Sequence, residues 1–284
     1  MSSSTGPDAK GQDAGGQDAG SLFRAGRLSD AIAAANAAVR KSTTNVGARV
    51  LLAELLLFAG NLERADVMMD ATGDLDPMLG MVIAEFRQLI RGEQARRQVF
   101  RDGRVPEFIA DPTSAQRSAL AALTALRAGA AEEAGRLAAE AEAARPHPAG
   151  TAAGQRFDDL RDADDILAAS FEVITTTGKY FWIPAERVLS VEFHPPKRPR
   201  DLYWRRASMQ VADGPDGDVY MPAIYPFDAA DPALTDELRL GRATDWQQAG
   251  EAAPVRGVGA VTLLLGEEAA TLMELETLVF DGRE

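Results

Sequence analysis

From Leu22 to about Arg145, Ala and Leu recur at three- and four-residue intervals, the spacing of amphipathic helices. Arg145-Pro-His-Pro ends that pattern, because proline neither donates a backbone hydrogen bond nor tolerates a helical residue before it. Gly150 to Gly154 then has the composition of a linker, and Phe157 to about Glu172, acidic and then apolar, reads as a capped helix. After Gly178 the period changes. YFWIPAERV, VLSVEFH, ASMQVAD, VYMPAIY, VTLLLG and ELETLVF are rich in branched and aromatic residues and are separated by turn signals such as Asp213-Gly214-Pro215-Asp216-Gly217. DPALTDELRLGRATDW between them reads as one further short helix.

Two segments of the helical part repeat. FRAGRLSDA, Phe23 to Ala31, aligns with LFAGNLERA, Leu57 to Ala65: Ala25, Gly26, Leu28 and Ala31 recur as Ala59, Gly60, Leu62 and Ala65, 34 positions on. That is the period of the tetratricopeptide helix–turn–helix unit. Glycine permits the tight turn, the following Leu plugs it, and the small Ala lets the second helix pack closely on the first. LRAGAAEEA, Leu126 to Ala134, is a third copy with Ala128, Gly129 and Ala134 in the same places. Pro77 to Arg101 between them is helical in pattern and offers only Gly92 as a turn glycine. The predicted fold class is α+β: a tetratricopeptide-like helical domain over residues 20–148, then an α+β domain over 155–284 with a mainly antiparallel sheet. Residues 1–19, dominated by Gly, Ser, Asp and Gln with a duplicated GQDAG, are expected to be a disordered tail.

In this register Leu52, Ala53 and Leu56 pack between helices, while Val50, Glu54, Leu57 and Phe58 line the inner face of the layer. Gln116, Ala119, Leu123 and Arg127 take the equivalent places in the third copy. An amphipathic helix could bury its apolar stripe on Leu57, Phe58 and Leu123, with Glu54 and Arg127 setting its orientation. The edge of the C-terminal sheet is the alternative docking surface.

Composition narrows the function. The 284 residues are 46% hydrophobic and 26% charged, as in an ordinary globular protein, and carry a formal charge of −13. A polyanion would be repelled by such a chain, which disfavours nucleic acid and anionic membranes as partners. The absence of Cys excludes disulfides and thiolate chemistry. No apolar run reaches the length of a membrane span, no signal peptide is evident, and a cytoplasmic location is expected.

Candidate chemistry fails at each site. Gly178-Lys179 suggests a phosphate loop, but Val173 stands where the first glycine belongs and Tyr180 where Ser or Thr belongs. In a strand, Tyr180 and Trp182 share one face and Phe181 and Ile183 the other, which suits burial on both. His194 to Arg206 sets Lys197, Arg198, Arg200, Arg205 and Arg206 around Tyr203 and Trp204, the best nucleic-acid candidate in the chain. His147 and His194 lack ligand-spaced companions, and Asp158, Asp159, Asp162, Asp164 and Asp165 lack the glycine and terminal Glu of a calcium loop. Neither Ser170 nor Ser190 stands in a nucleophile setting. No catalytic constellation, cofactor or metal is expected. A ligand-sensing pocket around Arg187, Arg200 and Asp201 is a second reading, and a repeat adaptor outside any secretion system a third.

The C-terminal half carries a resemblance. DADDILAASFEVITTTGKYFWIPAERVLSVEFHPPKRPRDLYW resembles the ImpE family, the TagJ or SciE-type proteins of type VI secretion clusters. The matching features are the YFWIP strand after Lys179, the RDLYW element from Arg200 to Trp204, Tyr225-Pro226, and the helix from Arg239 to Trp246. LFRAGRLSDAI and LLLFAGNLERA resemble the family's opening helices, so the likeness runs from Leu22 onward. Where relatives show a YPGSE-like turn this chain has Tyr225-Pro-Phe-Asp-Ala, and Gly257-Val-Gly-Ala-Val replaces a GxGQR-like element. The resemblance implies a non-enzymatic accessory factor of the contractile sheath. Its implied partner is the small sheath subunit, bound through an N-terminal helix, with the sheath-recycling AAA+ ATPase as a functional neighbour.

Overall fold

The structure, a computed structural model, describes residues 18–214 and 216–282. The expected tail therefore lies outside the described residues up to position 17. Asp18 already caps the first helix, its carboxylate accepting from the Ser21 N–H at 2.9 Å.

Seven helices come first: α1 (Ala19–Arg24), α2 (Leu28–Lys41), α3 (Val46–Phe58), α4 (Leu62–Gly73), α5 (Gly80–Asp102), α6 (Ser114–Arg127) and α7 (Ala131–Ala144). The repeat is visible in their turns. Gly26, Gly60 and Gly129 adopt φ of +79°, +75° and +74°, the left-handed conformation glycine permits. After each glycine the next N–H reaches back across the turn: Arg27 to Leu22 O at 3.0 Å, Asn61 to Leu56 O and Ala130 to Ala125 O at 2.9 Å. This is one helix-ending motif used three times. Leu28 and Leu62 plug the first two turns, and Ala31, Ala65 and Ala134 are fully buried where paired helices touch. The third copy has Ala131 in place of the plug.

Gly92 is not a turn glycine. It lies mid-way along α5, where a Cβ would meet Ile174 Cγ2 at 2.4 Å, so it lets the helix lie directly on the sheet.

That sheet is eight-stranded and antiparallel throughout. Its strands are β1 (Gly150–Ala152), β2 (Gln155–Phe157), then, after β3 (Leu160–Asp162), β4 (Ser170–Thr175), β5 (Tyr180–Pro184), β6 (Val188–Phe193), β7 (Trp204–Val211) and β8 (Gly217–Pro222). The four-residue α8 (Asp236–Arg239) follows, then β9 (Thr244–Gln248), β10 (Val255–Gly259), β11 (Thr262–Leu265), β12 (Glu268–Thr271) and β13 (Thr277–Phe280). The large sheet runs β2-β1-β13-β6-β7-β8-β4-β5; β9 and β10 form a ribbon, and β12, β11 and β3 a small third sheet.

Two local expectations are corrected. Gly150 to Gly154 is no linker: Gly150 to Ala152 pair with Phe280 to Leu278 as an inner strand. Phe157 to Glu172 is not a helix. Its acids accept hydrogen bonds from distant chain instead of capping a helix end. The buried Asp164 carboxylate takes the Ile166 and Gly257 N–H groups at 2.9 Å and Arg256 Nε at 2.7 Å. Asp165 takes the Val255 N–H at 2.7 Å, and Asp162 the Tyr225 hydroxyl at 2.6 Å.

A buried polar network joins the helical layer to the sheet. Arg96 of α5 donates two parallel bonds of 2.7 Å to the Glu172 carboxylate and one of 3.0 Å to Ile224 O. Glu93 accepts from the Tyr203 hydroxyl at 3.2 Å and Trp204 Nε1 at 3.1 Å. Burial alone would weaken the Arg96 charge, but Glu172 and Glu93 hold its pKa well above the usual arginine value. The repeat turns dock on the second domain as well. Arg242 donates to Phe23 O at 2.8 Å and the Leu28 N–H to Asp236 at 2.9 Å, while Arg97 of α5 braces the second turn from within the helical layer, donating to Gly60 O at 2.6 Å.

Candidate partner-binding groove

The second domain covers part of the inner face of the repeat layer and leaves part open. Leu57 and Phe58, at the C-terminal end of α3, are fully buried, and Phe58 lies between Phe23 and Tyr203 with ring centroids 5.3 Å from each. One turn earlier, the same face of α3 borders a groove enclosing about 460 Å³. Val50, Leu51 and Glu54 form its α3 side. Met69 contributes from α4, Leu79, Val82, Ile83 and Phe86 from the start of α5, and Lys197, Arg198 and Arg200 from the β6–β7 connection.

Sequence dictates this wall by wall. Asn45 caps α3 by accepting from the Ala48 N–H at 3.0 Å, which starts the helix where Val50 and Glu54 share a face. Pro199 opens a 3-10 turn, Pro199–Leu202, whose Asp201 accepts the N–H groups of Lys197 at 2.8 Å and Arg198 at 3.2 Å. That turn presents the three cations to the groove. Beside the groove, the α4–α5 corner exposes an unusual amount of apolar surface: Met78 is 91% exposed, Met81 88% and Val82 43%. Contiguous exposed apolar surface beside a concavity marks an interaction site, and methionines adapt readily to an incoming side chain.

Glu54 supplies the groove's carboxylate. Its side chain is 3% exposed and paired with Arg198, itself one-third exposed. Burial pushes the Glu54 carboxyl up to about 7, against the pull of Arg198 and Arg200. Water screens the partly exposed Arg198 more than it relieves the buried acid, so desolvation wins.

Of the partner-binding residues expected from sequence, Val50 and Glu54 thus meet in the groove. Leu57 and Phe58 are fully buried, Phe58 against Tyr203 of the second domain. Leu123 is buried, with Gln116 and Ala119 on the same helix, and Arg127 donates to Val99 O at 2.7 Å; neither Leu123 nor Arg127 lines the groove. Sequence reasoning missed the α5 wall. Its signal was MLGMVIAEF, Met78 to Phe86, too apolar for a solvated helix start.

The other candidates resolve as follows. Tyr203 and Trp204 are buried, so the basic cluster offers no stacking platform. Arg205 is buried near Met273 O, its Nε without a hydrogen bond, and burial lowers its pKa. Tyr180 and Trp182 are interior, with Trp182 Nε1 donating to the Tyr180 hydroxyl at 2.7 Å. Arg187 lines a separate cleft of about 680 Å³, whereas Arg200 and Asp201 line another recess, so the three do not converge. The described residues of the larger cleft include no hydroxyl, thiol or amine nucleophile. Among the described residues no cluster of three or more His, Asp or Glu is placed to hold a metal, and no helix is long and apolar enough to cross a membrane.

A repeat layer fused to an antiparallel sheet domain, with one part of its inner face left open and apolar, defines a tetratricopeptide-like repeat protein with a C-terminal sheet domain. A tetratricopeptide repeat model matches residues 22–78, and the ImpE protein model matches residues 154–279. The type VI secretion system accessory component TagJ of Pseudomonas aeruginosa is 31% identical over 265 residues, covering 93% of this chain and 88% of that protein. The chain belongs to the ImpE family. The crystal structure of protein VPA1032 from Vibrio parahaemolyticus has the same fold, with a TM-score of 0.86 at 24% identity over 93% of this chain and 98% of that one.

Proposed function

We propose that this chain is a non-enzymatic, cytoplasmic accessory component of a type VI secretion system that holds the N-terminal helix of the small contractile-sheath subunit in the α3–α5 groove. The observation that carries the reading is the divided inner face of α3: sealed at Leu57 and Phe58, open at Val50 and Leu51 above the buried Glu54, and continuous there with the exposed Met78–Val82 surface. Likeness to TagJ over nearly the whole chain supplies the secretion context. An amphipathic helix presents apolar residues three and four apart, and an apolar groove receives that stripe. Each fully buried Val, Leu or Ile of the stripe contributes about 1.5–3 kcal/mol, less the cost of ordering the helix. Contact with the sheath-recycling ATPase is indirect in this reading, through the sheath subunit.

Fluorescence polarisation with a labelled synthetic peptide of that N-terminal helix tests the proposal. Wild-type chain is expected to bind, and Val82→Asp and Met81→Asp to lose at least about tenfold, because each places a charge where an apolar contact should form. Both positions are exposed, so the variants keep the fold. No binding by the wild type would overturn the function, and undiminished binding by both variants would overturn the groove.

A further inference from the structure

We propose that the helix received by this groove carries a carboxylate beside its apolar stripe, and that Lys197 receives it. The inference rests on the helix-in-groove reading. Lys197, Arg198 and Arg200 line both the apolar groove and an adjoining polar recess of about 210 Å³, which also takes in Glu85, His194, Asp201, Arg206 and Tyr220.

The carboxylates there are already engaged. Glu54 holds Arg198. Glu85 accepts from Arg200 at 3.2 Å and from the Tyr220 hydroxyl at 2.6 Å. Asp201 takes the two N–H groups of its turn, and Asp218 accepts from Arg206 at 2.6 Å and Ser208 at 2.9 Å. Donors are left over. The Lys197 ammonium is exposed and has no ion pair or side-chain hydrogen bond among the described residues. Arg200 Nε is buried without a hydrogen bond, its nearest acid, Asp201, lying 3.7 Å away.

In a chain of formal charge −13, the wall joining groove and recess has surplus donors and, among the described residues, no free carboxylate. An occupant with a cation on that side would find no acid to meet, whereas an Asp or Glu three or four positions from the stripe lies next to it on the helix surface and reaches Lys197. An exposed ammonium without a partner at the rim of an apolar groove is what an interface awaiting an acceptor presents.

The test uses the full chain and two synthetic peptides of the small sheath subunit's N-terminal helix: the native sequence, and one with every Asp and Glu replaced by Asn and Gln. Lys197→Glu is expected to weaken the native peptide about tenfold and Lys197→Arg to leave it within about twofold, since like charges repel across an interface. The amide peptide is expected to bind wild type about tenfold more weakly than the native one, and to bind Lys197→Glu and wild type alike, which is the coupling a double-mutant cycle reads. Lys197→Glu binding the native peptide as tightly as wild type, or wild type not distinguishing the two peptides, would overturn the carboxylate while leaving the groove intact. Wild type binding neither peptide would overturn both. A dimer of the free chain that Lys197→Glu dissolves would put a second copy in the groove, and would also overturn the proposal.

Discussion

Phe58 and Tyr203 meet edge to face, with ring centroids 5.3 Å apart and planes at 87°. Phe58 ends a repeat helix and Tyr203 immediately precedes a sheet strand, so this contact closes the inner face of the layer and leaves the groove above it. Phe58→Ala removes a fully buried ring that also packs on Phe23, and is expected to cost about 3–5 kcal/mol. Urea unfolding should show a lower midpoint. Loss of peptide binding in Leu57→Asp or Phe58→Asp would therefore report a damaged fold and not a removed docking contact.

Gly92→Ala should destabilise the chain even though Ala is the better helix former. Ala contributes about 1 kcal/mol of intrinsic helix preference, while the 2.4 Å approach of its Cβ to Ile174 forces overpacking that typically costs about 1–3 kcal/mol. Thermal unfolding is expected to show a lower midpoint, and Gly92→Ala should cost less in an Ile174→Ala background than in the wild type, the coupling a double-mutant cycle reads.

Arg96→Met leaves Glu172 buried without its cation and Glu93 with only the more distant Arg97. Breaking one side of a buried pair typically costs about 3–5 kcal/mol, more than a surface arginine would. Arg136→Met is the control: its ion pairs with Glu133 and Glu140 are solvent-exposed, and a change within about 1 kcal/mol is expected.

Glu54 gives the chain a pH dependence of known sign. Its carboxyl titrates at about 7 in the folded chain against an ordinary value of 4.5. Between those values the folded state binds more protons than the unfolded one. The stabilisation is fully present below about 4.5, declines as pH rises, and is gone above about 7. Each tenfold difference in proton affinity between the two states is worth about 1.4 kcal/mol, so the whole span is on the order of 3 kcal/mol. Glu54→Gln should lack this slope, so its stability relative to wild type should rise between about pH 5 and about pH 7.5, read by urea unfolding at each pH.

The repeat was legible because its turns are local: Gly26, Gly60 and their following leucines act within a few residues of themselves. So were the strands: β4 and β5 are buried at nearly every position, while β6 and β7 largely alternate buried and exposed positions. Asp162 to Asp165 misled for the opposite reason. Acids ahead of an apolar run look alike whether they cap the next helix or accept N–H groups from residues 255–257, some ninety positions away. The inner face was half legible. Periodicity places Val50, Glu54, Leu57 and Phe58 on one side of α3, but nothing along the chain says that Tyr203 covers Phe58. Nor does it say that Val82 and Lys197 flank the first.

Docking of an apolar helix in the open part of that face is tested most directly by hydrogen–deuterium exchange of the full chain, with and without the sheath subunit's N-terminal peptide. Slower exchange is expected in residues 46–54 and 80–86, with residues 57–60 and the β9 edge around Trp246 unchanged. Protection confined to β9, or none anywhere at saturating peptide, would contradict helix docking in the groove.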